Sequence, residues 1–588
     1  MHYIFSINPL IEALDEDFIK FFSQDKDGFL FAVNKNHVEF DYIDSHDYFV
    51  CVSGDIEKNQ RTIYSKDIVS YLTGCENYKS FFRDLNGQFI VIIYDKKRGQ
   101  VTLVRDKRGF KTCYYKNENN SLYISEDPVC VKRLSKSKFD KNNLAFFICS
   151  HYSRFWGRKQ SFFQGIFQIE PANIICFSDS TVVSEKYWSF EFENSEIISN
   201  FSDASNLLEK NLHKSMQNIL DKVDDESTIL ALSGGMDSTV VAALANNLKR
   251  PLNSFTAQYQ ENLEINEVKL AEEVAKKHTR SWRPINVNAE DFLQHLDSVY
   301  DWLKIPAASS SIVGYDLIFS KVKDLGFNNI ILGGSSDNLF NGNHPDFLYY
   351  LSDLYEGSDK KFSHELNCWI KLHHTNQFKK DPSVFNSFYS CNLNHQNKNL
   401  RVIPRIISGE FLRSEALNYL QDYLEIYEFQ STGSYLSTYA AYSHWYSAVQ
   451  PMITGMDATA LNLNIKYHDP YLSQFLHNLT WNFSPELKIR DGINKYILRK
   501  TFDDILPESI IRRHTKVGFD VPFSSWMKTE MYKEFLIQNL KNTSSNISFY
   551  FDIEKIIDSI VKSDFSTLDP MFMWQLINAN LWERAYAN

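Results

Sequence analysis

Two kinds of sheet are predicted for this chain: a layered α+β domain, then a doubly wound parallel α/β domain that runs on into a helical extension. Three observations carry that reading. Short apolar runs separated by polar turns fill residues 1–190, strand-like and helix-like segments alternate from residue 227, and residues 350–588 are mostly helical in pattern and rich in aromatics.

In the first region strands are predicted at Tyr48–Ser53, Gly87–Tyr94, Val101–Val104, Ser121–Ile124 and Asn173–Phe177, set off by turns such as YDKKRGQ and YKNENNS. Residues 191–226 carry a helical pattern and predict a bridging helix. The alternating region predicts strands at Ser227–Leu232, Phe255–Tyr259, Trp282–Val287 and Asn329–Leu332. Between them come helices at Ser238–Asn247, Asn266–His278 and Asp316–Leu325. Such alternation puts ligands at the carboxyl ends of parallel strands. No internal repeat or low-complexity linker appears, so tightly joined domains are expected.

The length of 588 residues suits two to four domains. With 43% apolar and 23% charged residues the composition is globular, and 45 Phe and 32 Tyr supply large cores. A net charge of −11 argues against non-specific nucleic-acid binding. Eight cysteines with no Cys-x-x-Cys read as reduced cytoplasmic thiols, not a disulfide framework or zinc site. The N-terminal stretch carries acids and lacks the apolar core of a signal peptide. No run approaches 18 apolar residues, so a cytoplasmic chain bound to neither membrane nor nucleic acid is expected.

The most informative stretch is LALSGGMDSTV, residues 230–240. Gly234 and Gly235 let backbone N–H groups converge with no Cβ in the way. A helix beginning near Ser238 adds the positive end of its dipole, and Ser233, Ser238 and Thr239 add hydroxyls. Asp237 would repel phosphate unless a cation lay between them, which points to magnesium, Mg2+. No Lys follows the glycines, so this is not the Gly-Lys-Ser/Thr ATPase loop. The hexad resembles that of the N-type ATP pyrophosphatases, which split ATP between the α- and β-phosphates.

The chain resembles class B asparagine synthetases, together with the β-lactam synthetases and lasso-peptide cyclases of the same architecture. Four sets of residues carry the likeness: Phe81–Phe89 with Val104–Lys111; Ser233–Ser238; Leu332–Phe340; and Pro485–Arg499 followed by Lys516–Phe519. The resemblance implies an Ntn-hydrolase-like, glutaminase-like domain over 1–195. It implies an adenine-nucleotide α-hydrolase-like synthetase domain over 205–588. It assigns Ser233, Gly234, Gly235, Asp237 and Ser238 to pyrophosphate and magnesium, with Gly333 and Gly334 in a second loop. Asp337 becomes a second magnesium-associated acid, and Lys495 offsets charge on the α-phosphate and leaving group. Leu232 and Phe255–Tyr259 would line the adenine of ATP, and a homodimer is common among the relatives.

Three departures follow. The family's glutaminase nucleophile is a Cys at residue 1 of the processed chain, using its own amine as base; here position 2 is His2 and the first cysteine is Cys51. The family's Asn-Gly-Glu is Ser53-Gly54-Asp55, so loss of glutamine hydrolysis is expected. At Gly334 the relatives carry an acid or a tyrosine associated with deprotonating the amine. Either another group serves (His344, Tyr315 and Asp346 are near in sequence), or the acceptor amine is weakly basic, or the enzyme is impaired. Residues 450–475 keep the helical frame of the acceptor side but have lost most of its charges, which moves specificity away from aspartate and ammonia.

The expected activity is adenylation of a small-molecule or peptide carboxylate and its coupling to an amine, forming AMP and pyrophosphate. A lactam or macrolactam is among the products this allows. An ammonia-dependent asparagine synthetase and a non-catalytic nucleotide-binding scaffold are the alternatives.

Overall fold

The computed structural model describes residues 3–7, 18–21, 29–34, 41–58, 61–74, 78–151, 159, 161–178, 181–189, 197–259, 267–372, 382–403, 405–430, 433–447, 449–511, 513 and 521–586. His2, Cys75 and Lys516–Phe519 lie outside them.

Two antiparallel sheets form the N-terminal part. One has six strands in the order Phe167–Gln168, Tyr114–Glu118, Ser121–Ser125, Tyr3–Ile7, Phe29–Asn34 and Phe18–Phe21. The other has seven, built around Tyr48–Lys58, Asn86–Asp95 and Gln100–Arg105. Alternation decides which face each residue takes. Along Tyr48–Lys58, Phe49 and Cys51 enter the core between the sheets with Phe5, Phe31, Ile92 and Leu103. Val50 and Val52 face the other way, onto Ile68 and Leu72 of the helix Ser65–Leu72. On the far side of the six-stranded sheet, Ile4 and Tyr123 share a core with Val129 and Phe146, from the helices Pro128–Ser135 and Lys141–Cys149. The result is the layered sheet domain expected; the strands before residue 41 and the flanking helices were not read from the sequence.

The helix Phe201–Leu220 lies inside the predicted bridging segment. Asn200 caps it by accepting from Asp203 N, and Leu208, Leu212, Met216 and Leu220 bury one face at helical spacing. It leads to a fully parallel five-stranded sheet in the order Ser281–Val287, Asn253–Tyr259, Thr228–Ala231, Asn329–Ile331 and Lys466–His468. In sequence terms the order is 3-2-1-4-5. The strand direction of growth therefore reverses between Thr228–Ala231 and Asn329–Ile331, where a doubly wound sheet opens its crevice.

Some predicted boundaries shift. The first helix is Met236–Asn247 and so begins at residue 236, which puts Asp237 in its first turn. The helix predicted from Asp316 starts at Ser310, and Ala289–Trp302 is a further helix. In the segment 450–475 the helix Val449–Leu463 holds, but Lys466–His468 then adds the fifth strand, too short to show a period of its own. Residues beyond 350 are mainly helical, with a small sheet of Leu393–Asn394, Asn399–Val402 and Tyr427–Phe429. The helix Pro570–Tyr586 packs on Lys141–Cys149, where Gln575 donates to Ser150 O at 2.9 Å. Among the described residues no helix is long and apolar enough to cross a membrane.

Candidate active site

The strand Thr228–Ala231 delivers Leu232 and Ser233 to the crevice, and the chain turns at Gly234, φ +71°. A Cβ on Gly234 would stand 2.9 Å from Ala271 N and 3.1 Å from Glu267 O. Glycine here lets the loop lie against the helix Val268–His278. Gly235 is the N-cap of Met236–Asn247, with no side chain bonded into the cap. Ser238 Oγ, 3.0 Å from Ser233 Oγ, accepts from Ser233 N at 3.1 Å, and Gly235 N donates to Ser233 Oγ at 3.2 Å. The helix N-terminus thus faces the crevice with no side chain bonded into its cap, the arrangement in which backbone amides and dipole favour phosphate.

The second loop leaves Asn329–Ile331 through Leu332, Gly333 and Gly334 to Ser335. A Cβ on Gly333 would meet Ser238 Cα and N at 3.1 Å, so this glycine lets the two loops touch. Ser335 N donates to Asp469 Oδ2 at 3.0 Å, and the short helix Ser336–Leu339 then presents Asp337. Lys495 comes from the hairpin Ile489–Arg490/Ile493–Asn494 with φ +52°, a left-handed conformation that costs a non-glycine residue about 1 kcal/mol. Its Nζ lies 2.6 Å from Asp237 Oδ2, 2.7 Å from Asp337 Oδ1 and 3.3 Å from Ser336 Oγ. Burial pulls the lysine pKa down, but Asp237 and Asp337 outweigh it and the net shift is upward, so the ammonium is fixed.

Asp237 Oδ1 is buried, and among the described residues no hydrogen-bond donor reaches it. An orphaned carboxylate oxygen beside a second carboxylate is costly unless a cation or water completes it. Two hard oxygen donors at a phosphate cradle fit a magnesium ion.

These groups line a cavity of about 750 Å3, within the range of ligand sites. Of the predicted residues, Leu232, Ser233, Gly235, Asp237, Ser238, Gly333, Gly334, Asp337 and Lys495 all face it, as do Phe255, Thr256, Ala257 and Tyr259. Gly234 is not on its wall and serves the loop's packing. A Cβ on Gly334 would meet nothing within 4 Å, so the place taken by a side chain in the resembling families is open space. Of the three groups weighed as its replacement, Tyr315 lines the cavity. Asp346 instead accepts from Asn343 N at 2.7 Å in a capping box, and the His344 ring packs on Trp369 at 5.9 Å.

Four contributors escaped sequence reading. Gly342 is one: a Cβ there would sit 2.1 Å from Asp337 Oδ1 and 2.3 Å from Lys495 Cε. Glu267 and Arg513 form an ion pair on the wall, and burial pushes the Glu267 carboxyl up to about 7 against the pull of Arg513. Burial likewise raises Asp469 to about 6. A glycine after Asn-Leu-Phe-Asn gives no sign that it faces a lysine far along the chain.

The N-terminal domain holds a second buried polar cluster. Cys51 lies in the inter-sheet core, its thiol pushed far up by burial and by nearby Glu126, Asp41 and Cys113. Ser53 Oγ donates to the Glu126 carboxylate. Lys111 Nζ is 2.9 Å from both Asp457 oxygens, reaching the helix Val449–Leu463 whose Met452 and Met456 line the cavity.

The profile of the asparagine synthase family matches residues 208–584, and that of a glutamine amidotransferase domain matches residues 71–188. Glutamine-hydrolyzing asparagine synthetase 3 of Bacillus subtilis (strain 168) is 24% identical over 473 residues, covering 76% of this chain and 70% of that protein. Glutamine-hydrolyzing asparagine synthetase 1 of the same organism is 21% identical over 481 residues, with the same two coverages, 76% and 70%. Amidase chry2 of Gibberella zeae is 21% identical over 290 residues, 45% of this chain and 41% of that protein.

Proposed function

The chain belongs to the asparagine synthase family, and from that premise we propose that it is an ATP-dependent amide synthetase that works without hydrolysing glutamine. It adenylates a carboxylate, releases pyrophosphate, and passes the acyl group to an amine with loss of AMP. The observation that carries this reading is the meeting of Asp237, Asp337 and Lys495 at an uncapped helix N-terminus on the carboxyl edge of the parallel sheet.

The chain's own residues divide the work. Ser233, Gly235 and the first-turn amides of Met236–Asn247 hold the pyrophosphate, and Leu232 with Phe255–Ala257 holds the base. Lys495 faces the negative charge that builds on the phosphates as the α–β bond opens, and a fixed ammonium in a dry site is worth far more there than in water. Asp237 and Asp337 would hold magnesium, which when bound neutralises phosphate charge. The open space at Gly334 gives the amine no side chain at that position, and of the three groups near it in sequence Tyr315 is the one on the wall, where its phenolate would take the proton.

Two features support separation from glutamine and from aspartate. Cys51 is a buried, protonated thiol inside a strand, with no α-amine of its own. The wall carries Val449, Met452 and Met456, which favours larger, less polar substrates from specialised peptide or small-molecule biosynthesis, lactam and macrolactam formation included. We place the enzyme in the cytoplasm as a homodimer. The test is pyrophosphate release from ATP by the full chain, with a panel of amino-acid and peptide acids and either ammonium, amines or glutamine. AMP with an acid-dependent release is expected, and glutamine adds nothing. ADP as product, or a glutamine-dependent rate, overturns the proposal.

A further inference from the structure

Cys368 stands one helical turn after His364 on Asp359–Leu372, and the hairpin turn that leads into Lys495 brings Asp491 beside both. His364 Nε2 is 2.8 Å from Asp491 Oδ1 and 3.7 Å from Cys368 Sγ, and the three ligand atoms lie within 4.8 Å of one another. We propose that His364, Cys368 and Asp491 form a surface site for a divalent transition-metal ion, zinc by preference, that ties this helix to the hairpin carrying Lys495.

Donor chemistry sets the class of ion. A thiolate with an imidazole is too soft for magnesium or calcium and suits zinc, with water as the fourth ligand of a tetrahedron. Around zinc, with bonds of about 2.0 to 2.3 Å, neighbouring ligand atoms stand about 3.2 to 3.6 Å apart. The observed contacts are therefore within about an ångström of that geometry, and the His364 and Asp491 side chains are 59% and 51% exposed and can adjust.

The separation of the two elements does not depend on the ligands themselves. Glu365, buried on the same helix, accepts from Asp491 N at 2.9 Å and Gly492 N at 3.0 Å. Gly492, φ +72°, backs onto the helix so closely that a Cβ would stand 2.7 Å from Cys368 C and 2.8 Å from Trp369 N. The ligand set is thus held in place by main-chain contacts, as a binding site requires. Arg490 Nε lies 3.8 Å from Asp491 Oδ2, the oxygen turned from His364, and so does not occupy the proposed ligand atom.

The test uses the full-length protein stripped with chelator and titrated with cobalt(II), whose thiolate charge-transfer absorption reports a Cys ligand, and then with zinc in competition. One equivalent is expected to saturate the band and zinc to displace it. Cys368→Ser abolishes the band, His364→Ala weakens binding at least about tenfold, and Cys391→Ser, removing an exposed thiol, leaves it intact. A second readout is amide exchange at 489–494, slowed by zinc in the wild type and not in Cys368→Ser. A band that survives Cys368→Ser would put the metal on another thiol, and no saturable binding at one equivalent would leave an ordinary His–Asp surface pair; either result overturns the site.

Discussion

Two buried lysines, each set among carboxylates, sit in the two halves of this molecule and do opposite things. Lys111 gives its ammonium to both oxygens of Asp457, so neither oxygen is left over. Lys495 divides its ammonium between Asp237 and Asp337, and Asp237 Oδ1 is left buried and unserved among the described residues, at the edge of a large cavity. Both lysines are shifted upward by their carboxylates against the opposing pull of burial. The difference lies in what remains unsatisfied. A closed pair is a joint between elements; an open cluster is a place where something else completes the charge.

The sharpest break of that comparison is Lys495→Ala. Pyrophosphate release is expected to fall about 10²- to 10³-fold, as for the loss of a fixed transition-state partner, and stranding Asp237 and Asp337 lowers the melting temperature as well. Lys111→Met should cost stability alone. Stranding Asp457 costs about 2 to 3 kcal/mol in urea unfolding, the double change with Asp457→Leu regains most of it, and affinity for a nonhydrolysable ATP analogue stays within about twofold. Gly342→Ala tests how tightly the open cluster is fitted. Its Cβ must displace Asp337 or Lys495, an overpacking worth about 1 to 3 kcal/mol, and calorimetry should show the analogue bound about tenfold or more weakly.

A smaller effect probes the wall. Glu267 is neutral below about pH 7 and anionic above it, so each step upward adds negative charge beside the phosphate cradle. Analogue affinity should fall about threefold between pH 6 and 8 beyond the nucleotide's own titration, and Glu267→Gln should flatten that excess. Smallest of all is Cys51→Ala: turnover with a competent acid and amine is expected to be unchanged, whether or not glutamine is present.

What could be read from the chain divides along the same line. Ser233–Ser238 announced itself because phosphate binding by main-chain amides demands glycines and small hydroxyls in one short run, at a strand–helix junction. Asp337 and Lys495 were legible only through resemblance, since an isolated acid or lysine has no local signature. Gly342 and the Glu267–Arg513 pair were not legible, because each acquires its meaning from a neighbour supplied by another segment. In the fold, alternating strands and helices were clear wherever elements were long. Lys466–His468, three residues at the edge of the parallel sheet, shows no periodicity, and the strands before residue 41 lie among polar stretches that mask theirs. Cys–Cys spacing is silent about His364 and Cys368, one turn apart, meeting an aspartate from a distant hairpin.

Lys495 and Asp237 are 258 residues apart in sequence, and Asp337 belongs to a third segment. A nucleotide gripped by all three can be held only while the whole parallel-sheet half stands assembled. A bound nucleotide must therefore stabilise that half by mass action, by about 2.7 kcal/mol at a hundred times its Kd, and so raise its melting point.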